Sequence, residues 1–595
     1  MTVTDEPDLH DHRLARAATG LLRDFNRAAV LEAADVHVAL RLQRLLGEDD
    51  EAVLLAAALA VRALRSGSVR VELSEVREDA GPEGEGLAWP DHPGEWARRV
   101  AGSGLASAAP GGSVPALRVE GTAVYLDRYW REEEQVCAAL RRRAGRPAPV
   151  VDESALAAGL DRVFGDATYA EHRAAADIAC RQWTTVLTGG PGTGKTTTVA
   201  ALLALLAEQA EVAGERRLRI ALAAPTGKAA ARLQEAVLAE VRDRFGEQDA
   251  ARLSGLQAST LHRLLGARPD TGSRFRHDRD NRLAHDVIVV DETSMVSLTM
   301  MARLLEALRP TTRLLLVVDA DQLASVDAGA VLADLVEGIA HLPASRVAAL
   351  RTSHRFGPEI RDLSAAVRTG DAEAALARLA AGAGDGPVAW SHTDAPAELL
   401  RVRLTDAALQ VRRHAEHGDA TAALEALEEH RLLCAHREGP HGVRHWNRLV
   451  EHWLGEATGD PVWDEWYVGR PVLVTANDYG LGVYNGDLGV TVQGDEGLRV
   501  VVAGADGPVD LSPGRLGEVE TVHAMTIHKS QGSQAREVTV LLPGEESRLL
   551  TRELFYTAIT RAQDRVRVVG TEPAVRAALG RRARRASGLA ERLRG

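Results

Sequence analysis

The stretch that most constrains this chain is residues 184–208. Thr184–Thr188 is a short β-rich run, Gly189-Gly190-Pro191-Gly192-Thr193-Gly194-Lys195-Thr196 is a glycine-rich turn, and an Ala/Leu-rich helical run opens at Thr197. A strand that feeds a helix through such a turn belongs to a layered α/β sheet, with the turn at the strand's C-terminal end. Glycines let backbone N–H groups wrap an anion, and the helix N-terminus adds the positive end of its dipole. Phosphate suits that geometry. On this reading residues from Gly189 to Thr197 cradle the phosphates of ATP, Lys195 reaches the terminal ones, and Thr196 ligates Mg²⁺.

Of the 71 lysines and arginines, only Lys195, Lys228 and Lys529 are lysines. Arginine serves almost everywhere a cation will do, so the three exceptions mark positions suited to a compact ammonium rather than a planar guanidinium. Each lies in a distinctive segment: the turn above, Ala224-Pro-Thr-Gly-Lys228, and Thr526-Ile-His-Lys-Ser-Gln-Gly532. Three of three in such segments point to a nucleotide-driven motor.

Further candidates follow later strands. The apolar run Val287–Val290 ends in Asp291-Glu292, where Asp291 can hold Mg²⁺ and Glu292 can polarise an attacking water. Leu314–Val318 ends in Asp319-Ala-Asp-Gln322, whose amide can bond a γ-phosphate and a nucleic-acid-side loop together. Arg355 and Arg561 lie far enough along the chain to come from a second α/β unit, where they would neutralise transition-state charge across a cleft.

At 63.7 kDa the chain is too long for one core. Residues 1–150 read as a helical docking domain, with helical spacing over Leu22–Leu45 and Ala52–Leu64 and a loop over Asp79–Pro93. Residues 151–345 read as a first α/β unit, interrupted at 267–285 by a polar hairpin around Asp278–Asn281. Residues 346–595 read as a second unit, with candidate strands Pro471–Thr475, Val538–Leu542 and Val566–Val569 and a small β-barrel-like insert at 468–520. The arginine-rich tail, Arg581–Arg594, reads as a solvated helix end. The longest apolar run, Ala52–Val61, is too short to span a bilayer. No signal peptide is evident and the three cysteines are far apart, so the cytoplasm is the expected compartment. A net charge of −13 leaves nucleic-acid binding to local grooves.

In this order, Gly189–Thr196, Ala224–Lys228, Ser259-Thr-Leu-His262, Asp291-Glu292, Asp319–Gln322, Arg351–Arg355, Thr526–Gly532 and Tyr556–Arg561 resemble the motif series of superfamily-one helicases. Thr188–Thr198, Asp291-Glu-Thr-Ser-Met295 and Tyr484-Asn-Gly-Asp-Leu-Gly489 are typical of the RecD family within it, and the motifs span 171–565. The resemblance implies a 5′→3′ DNA helicase with two RecA-like domains, a small hairpin insert and an SH3-like insert. It implies RecB and RecC partners in a helicase–nuclease that acts on duplex ends in recombinational repair. It also implies that Thr226, Lys228, His262, Thr526, His528, Lys529 and Ser530 line a single-strand track, setting affinity rather than sequence. His172 stands near the place where the family carries a glutamine that reads adenine.

Nuclease activity is not expected in this chain itself. The common nuclease core needs an acidic residue two before a lysine, and Thr193, Thr226 and Ile527 stand there. Two rivals remain. One is a stand-alone RecD-like helicase, whose relatives usually carry a longer N-terminal extension. The other is a non-catalytic structural subunit, against which the intact Lys195, Thr196, Asp291, Glu292, Gln322 and Arg561 argue.

Lys195→Gln should abolish DNA-stimulated ATP hydrolysis without unfolding the chain. Lys195→Arg should fail as well, because the fork does not fit the pocket of a point charge. Phosphate release with single-stranded DNA measures both, and normal turnover in the Arg variant would contradict the reading of the retained lysines.

Overall fold

Parallel strands buried on both faces carry continuous apolar runs, and such runs, Val287–Val290 and Leu314–Val318, lie at the centre of the first of two parallel sheets that form the body of this chain. The computed structural model describes residues 11, 13–107, 114–268, 271–323, 331–342, 347–352, 357–382, 386–478, 480–504, 507–583 and 586–595, without the side chains of 271–273 and 331–332. The first sheet has six parallel strands in the order Val347–Leu350, Thr184–Gly189, Arg313–Val318, Val287–Val290, Ile220–Ala224, Ala258–Thr260. All four residues of Val287–Val290 are buried. The helix Lys195–Val212 is buried on every side from Thr197 to Leu206, where it lies in the core with the helices Glu153–Val163 and Ala170–Cys180.

The second sheet has five parallel strands, Val388–Ser391, Ala562–Val569, Ala535–Leu541, His430–Cys434 and Ala524–Thr526. The three cysteines are buried and free. Among the described residues no helix is long and apolar enough to cross a membrane.

Several sequence expectations need correction. Val347–Leu350 pairs with Thr184–Gly189, so the first unit runs past residue 345. Pro471–Val474 does not join the second parallel sheet. It lies in an antiparallel sheet of five strands, in the order Gly507–Leu511, Gly497–Gly504, Leu488–Gly494, Pro471–Val474, Val519–Thr521, around its own small core. Short connections join neighbours there, and only antiparallel pairs allow that.

The hairpin pairs Ala267–Arg268 with Thr271–Phe275, whereas Asp278–Asn281 is a separate turn. Asp278 makes that turn by accepting from the amides of Asp280 and Asn281, both at 2.9 Å.

The N-terminal region is not only helical. Leu22–Leu45 splits into Gly20–Arg27 and Ala33–Leu46, because Glu32 and Asp35 form a capping box that starts a new helix. Arg70–Glu72, Ala123–Leu126 and Leu117–Glu120 form an antiparallel sheet of three strands beside these helices. Within Asp79–Pro93, Gly81–Gly84 forms a turn of 3-10 helix.

The tail is not a solvated helix end. Leu589 and Leu593 are buried in the core of the first unit. The helix Leu589–Arg594 packs against Val331–Ala340 and Asp127–Ala144. Arg592 meets Glu120 at 2.5 Å, Glu134 at 2.6 Å and Glu133 at 3.2 Å, while Arg70 meets Glu591 at 2.7 Å. The chain thus leaves the second unit and clasps the N-terminal region to the first, with Arg592 and Arg594 paired to acids.

Burial pushes the Glu133 carboxyl up to about 7, against the pull of the Gly588 amide and the Arg592 guanidinium. An acid that holds its proton more tightly when folded costs stability as pH rises from its ordinary value of 4.5 to about 7. Above that the cost is constant. Glu133→Gln is neutral at every pH, so its melting temperature relative to the parent should climb between about pH 5 and about pH 7 and then level. A difference independent of pH would show that Glu133 is ionised throughout.

Candidate functional site

The parallel register brings the ends of Thr184–Gly189, Arg313–Val318 and Val287–Val290 side by side, and the candidate residues follow those ends. Gly194 caps the helix Lys195–Val212 at φ 78°, a left-handed conformation that glycine adopts at little cost. A Cβ there would lie 2.3 Å from His172 Nε2. Lys195 Nζ donates to the Gly189 carbonyl at 2.6 Å and the Gly190 carbonyl at 3.0 Å. Thr193 Oγ1 donates to Gly190 O at 2.9 Å.

His172 is buried under this loop, with Nε2 3.0 Å from the Thr193 carbonyl. A carbonyl only accepts, so Nε2 carries the proton. Its neighbour Glu171, which sequence reasoning passed over, accepts from the amides of Arg351 at 2.7 Å and Thr352 at 3.2 Å. One helix start therefore braces both the glycine loop and the exit from the strand Val347–Leu350.

Burial, then the Glu292 charge, lifts the Asp291 carboxyl to about 6, opposed by Lys195. Burial likewise lifts Asp319 to about 6, again opposed by Lys195. Two carboxyls held this far up, Asp319 buried and Asp291 half-buried, form a site that added positive charge would stabilise. The oxygen-only pair of Thr196 and Asp291 fits Mg²⁺, which keeps most of its shell for phosphate and water.

Glu292 adopts φ 48° and ψ 42°, and only Ala29 shares a positive φ among described non-glycine residues. Such strain, about 1–3 kcal/mol, gathers at functional sites. No sequence signal announces it. Gln322 Nε2 donates to Asp319 Oδ2 at 2.8 Å, while its buried Oε1 has no partner among the described residues. A donor on a ligand or water would satisfy that orphan acceptor.

The two units meet at this loop. The Leu323 amide donates to Thr557 Oγ1 at 2.7 Å, and Gln531 Nε2 donates to the Leu323 carbonyl at 2.5 Å. Arg232 in the first unit donates to the Gly532 carbonyl of the second at 2.9 Å. The Tyr556 hydroxyl lies 3.1 Å from the place a Cβ on Gly190 would take. Thr557, Gln531 and Tyr556 lie inside motif segments read from the sequence, but their cross-cleft contacts needed the fold. Arg561 is 4% exposed, and its Nε donates to the Thr557 carbonyl at 3.1 Å. Arg355 falls outside the described residues.

The expected track residues divide. A Cβ on Gly532 would lie 3.8 Å from Thr226 Oγ1, so the Thr226 and Gly532 segments adjoin across the cleft. Lys228 pairs with Glu428 of the second unit at 3.5 Å, and burial, then Arg232 and Arg431, lowers it to about 8. Thr526 and Lys529 line a cavity of about 250 Å³ with Arg437, Arg444 and Asn447. Lys529 Nζ donates to Glu520 at 2.5 Å. Ser530 is buried, and its hydroxyl donates to the Ile527 carbonyl at 2.7 Å. His528 begins the 3-10 turn His528–Ser530. His262 sits apart, its ring centroid 6.0 Å from that of Phe275, in a separate cavity of about 270 Å³.

Three family models match. Residues 27–125 match the N-terminal domain of RecBCD enzyme subunit RecD, 172–328 an AAA domain, and 521–569 a UvrD-like helicase C-terminal domain. The chain is 61% identical over 568 residues to RecBCD enzyme subunit RecD of Mycolicibacterium smegmatis, covering 95% of this chain and 98% of that one. It is 59% identical over 588 residues to the Mycobacterium tuberculosis protein of the same name, covering 98% and 99%. It is 32% identical over 412 residues to the ATP-dependent RecD2 DNA helicase of Deinococcus radiodurans, covering 69% of this chain and 50% of that one. The glycine loop, the buried acids and near-full-length identity converge on one conclusion: this chain belongs to the RecD family of DNA helicases.

Proposed function

We propose that the chain is the ATP-hydrolysing, 5′→3′ translocating helicase subunit of a RecBCD-type complex, with RecB and RecC partners and DNA as substrate. The observation that carries the reading is the loop Asp319–Leu323, which holds a buried acid beside Lys195 and is tied to the second unit through Thr557 and Gln531. A change at the phosphates thereby reaches the surface on which single-stranded DNA would lie. Direction of travel and Mg²⁺ use rest on the family.

In this reading Lys195 neutralises the terminal phosphates, Thr196 and Asp291 hold the metal, and Glu292 takes the proton of the attacking water. Gln322 relays the outcome, and Arg355 and Arg561 complete the charge from the far side. Bound Mg²⁺ would supply further charge neutralisation on the phosphates. His172 serves the loop through Thr193, leaving adenine selection to other groups. Thr226, Lys228, His262, Thr526, His528 and Lys529 face DNA, with Lys228 and Lys529 exchanging carboxylate for phosphate, and Ser530 shapes the turn between them. The two sheets are RecA-like domains, and the antiparallel sheet is an SH3-like insert.

Residues 1–150 dock partners. The helix Ala33–Leu46 supports this, since Val38, Leu45 and Leu46 are 40%, 62% and 37% exposed. The subunit reading is favoured over a stand-alone helicase by identity, 61% to the RecD subunit against 32% to the RecD2 helicase.

Duplexes with a single 5′ or 3′ tail test the motor. Unwinding should require ATP and the 5′ tail, and preference for the 3′ tail would refute the polarity. Arg561→Ala should slow hydrolysis about a thousandfold with nucleotide binding far less affected. Loss of DNA affinity alone, at unchanged turnover with saturating DNA, would place Arg561 in the track instead.

A further inference from the structure

The strand N-termini of the first sheet lie at the opposite end from the glycine loop, and there the surface opens into a cavity of about 760 Å³. Arginines converge on it from three elements. Arg142 and Arg146 come from the end of the helix Asp127–Ala144, Arg279 and Arg282 from the turn after the hairpin, and Arg309 from the end of Leu298–Ala307.

Among the described residues, Glu306 is the only carboxylate lining it. That group is already engaged by Arg279 at 3.0 Å and Arg303 at 2.6 Å. Arg309 is matched by Asp286 at 2.7 Å. Arg142 and Arg146 make no ion pair with any described residue. Arg282 donates to the carbonyls of Arg279 and Leu308 and likewise meets no described carboxylate. Behind them Arg143 is buried, donating at 2.6 Å each to Thr184 Oγ1 and the carbonyls of Trp183 and Thr312.

A chain of net charge −13 has carboxylates to spare, yet it leaves three exposed guanidiniums here without one. Like charges held together repel, and an incoming anion removes that cost. Arginine forks take carboxylate and phosphate alike, two bonds at a time. The floor decides between them. Ala139, Leu305 and Leu308 beneath it are buried and Pro310 beside them is exposed, so the floor holds no polar group for a sugar and leaves apolar contact to Pro310 and the arginine stems. The nearby aromatic ring, Trp183, is covered by Arg146 and Arg313, each 5.4 Å from its centroid, so it offers no base a stacking platform.

We propose that this groove receives an acidic polypeptide segment with apolar anchors, supplied by a partner subunit. The proposal rests on the subunit reading above and adds a second docking face, away from the helix Ala33–Leu46, where the end of the N-terminal region (Arg142, Arg146) meets the first motor unit (Arg282, Pro310). Carboxylates of the segment meet Arg142, Arg146 and Arg282, and its apolar side chains lie on Pro310 and the aliphatic stems of the arginines.

The test is the double variant Arg142→Glu/Arg146→Glu in the full chain, co-expressed with its RecB-type and RecC-type subunits. Both side chains are exposed, so an unchanged melting temperature should confirm that the variant folds. Affinity for the partners should fall about a hundredfold, the scale of like charges set against each other in an interface. Single-stranded-DNA-stimulated ATPase of the isolated chain should stay at the parental rate. Assembly at parental affinity would overturn the proposal. So would intact assembly combined with lost binding of a blunt duplex, which would assign the groove to DNA. If the parent itself fails to assemble, the subunit reading falls and takes this proposal with it, whereas a failure confined to the variant's expected loss leaves that reading standing.

Discussion

The strand ends of the first sheet converge on one ammonium group. Lys195 is held by two backbone carbonyls and faces two carboxyls, Asp291 and Asp319, both lifted to about 6 by burial. Taking charges out of water costs several kcal/mol each unless partners are placed beforehand. The parallel sheet does that placing. Thr184–Gly189 lies between Val347–Leu350 and Arg313–Val318, and Val287–Val290 comes next, so the glycine loop and both acids emerge from adjacent ends. Antiparallel strands would send alternate ends to opposite edges and scatter the same residues.

The second constraint is that the site straddles two cores. Thr557 and Gln531 hold the backbone of Leu323, and Arg232 holds the Gly532 carbonyl. A neutral hydrogen bond contributes about 1 kcal/mol net. A few such bonds align the units without locking them, as a cycling motor requires. They also share one loop with the Asp319–Gln322 contact, so the orphan Gln322 Oε1 belongs to the residue next to Leu323, which carries two of the cleft's ties.

Much of this was legible in the sequence, and the reasons differ by element. The apolar runs that precede Gly189, Asp291 and Asp319 announced buried parallel strands, and the glycine loop announced the helix that follows. Pro471–Val474 misled because an apolar strand of four residues looks the same in a parallel or an antiparallel sheet; its partners decide, and they lie at Leu488–Gly494 and Val519–Thr521. Val347–Leu350 crossed the expected boundary because nothing local says which sheet an edge strand will join. The tail looked solvated because its arginines were counted and its Leu589 and Leu593 were not, and the acids that match Arg592 lie more than 450 residues earlier. His172 was placed by its neighbours in sequence, whereas its ring is placed by Gly194, which leaves room for it under the loop. The strain at Glu292 has no signature in residue type at all.

The three lysines show how far such reading goes. Each one's ammonium rests on oxygens in this structure. Lys195 rests on carbonyls, Lys228 on Glu428 and Lys529 on Glu520. The last two pairs join separate elements: Lys228 reaches from the first unit to the second, and Lys529 from the second sheet to the antiparallel one. Both lysines are partly open to solvent, at 21% and 29%. A phosphate that approaches either must compete with a carboxylate, and exchange is easier at a point charge on a flexible stem than at a fork bound twice. Arginine elsewhere in the chain makes the lasting contacts, as Arg592 does with three acids. In the proposed function, lysine stands where the partner has to change.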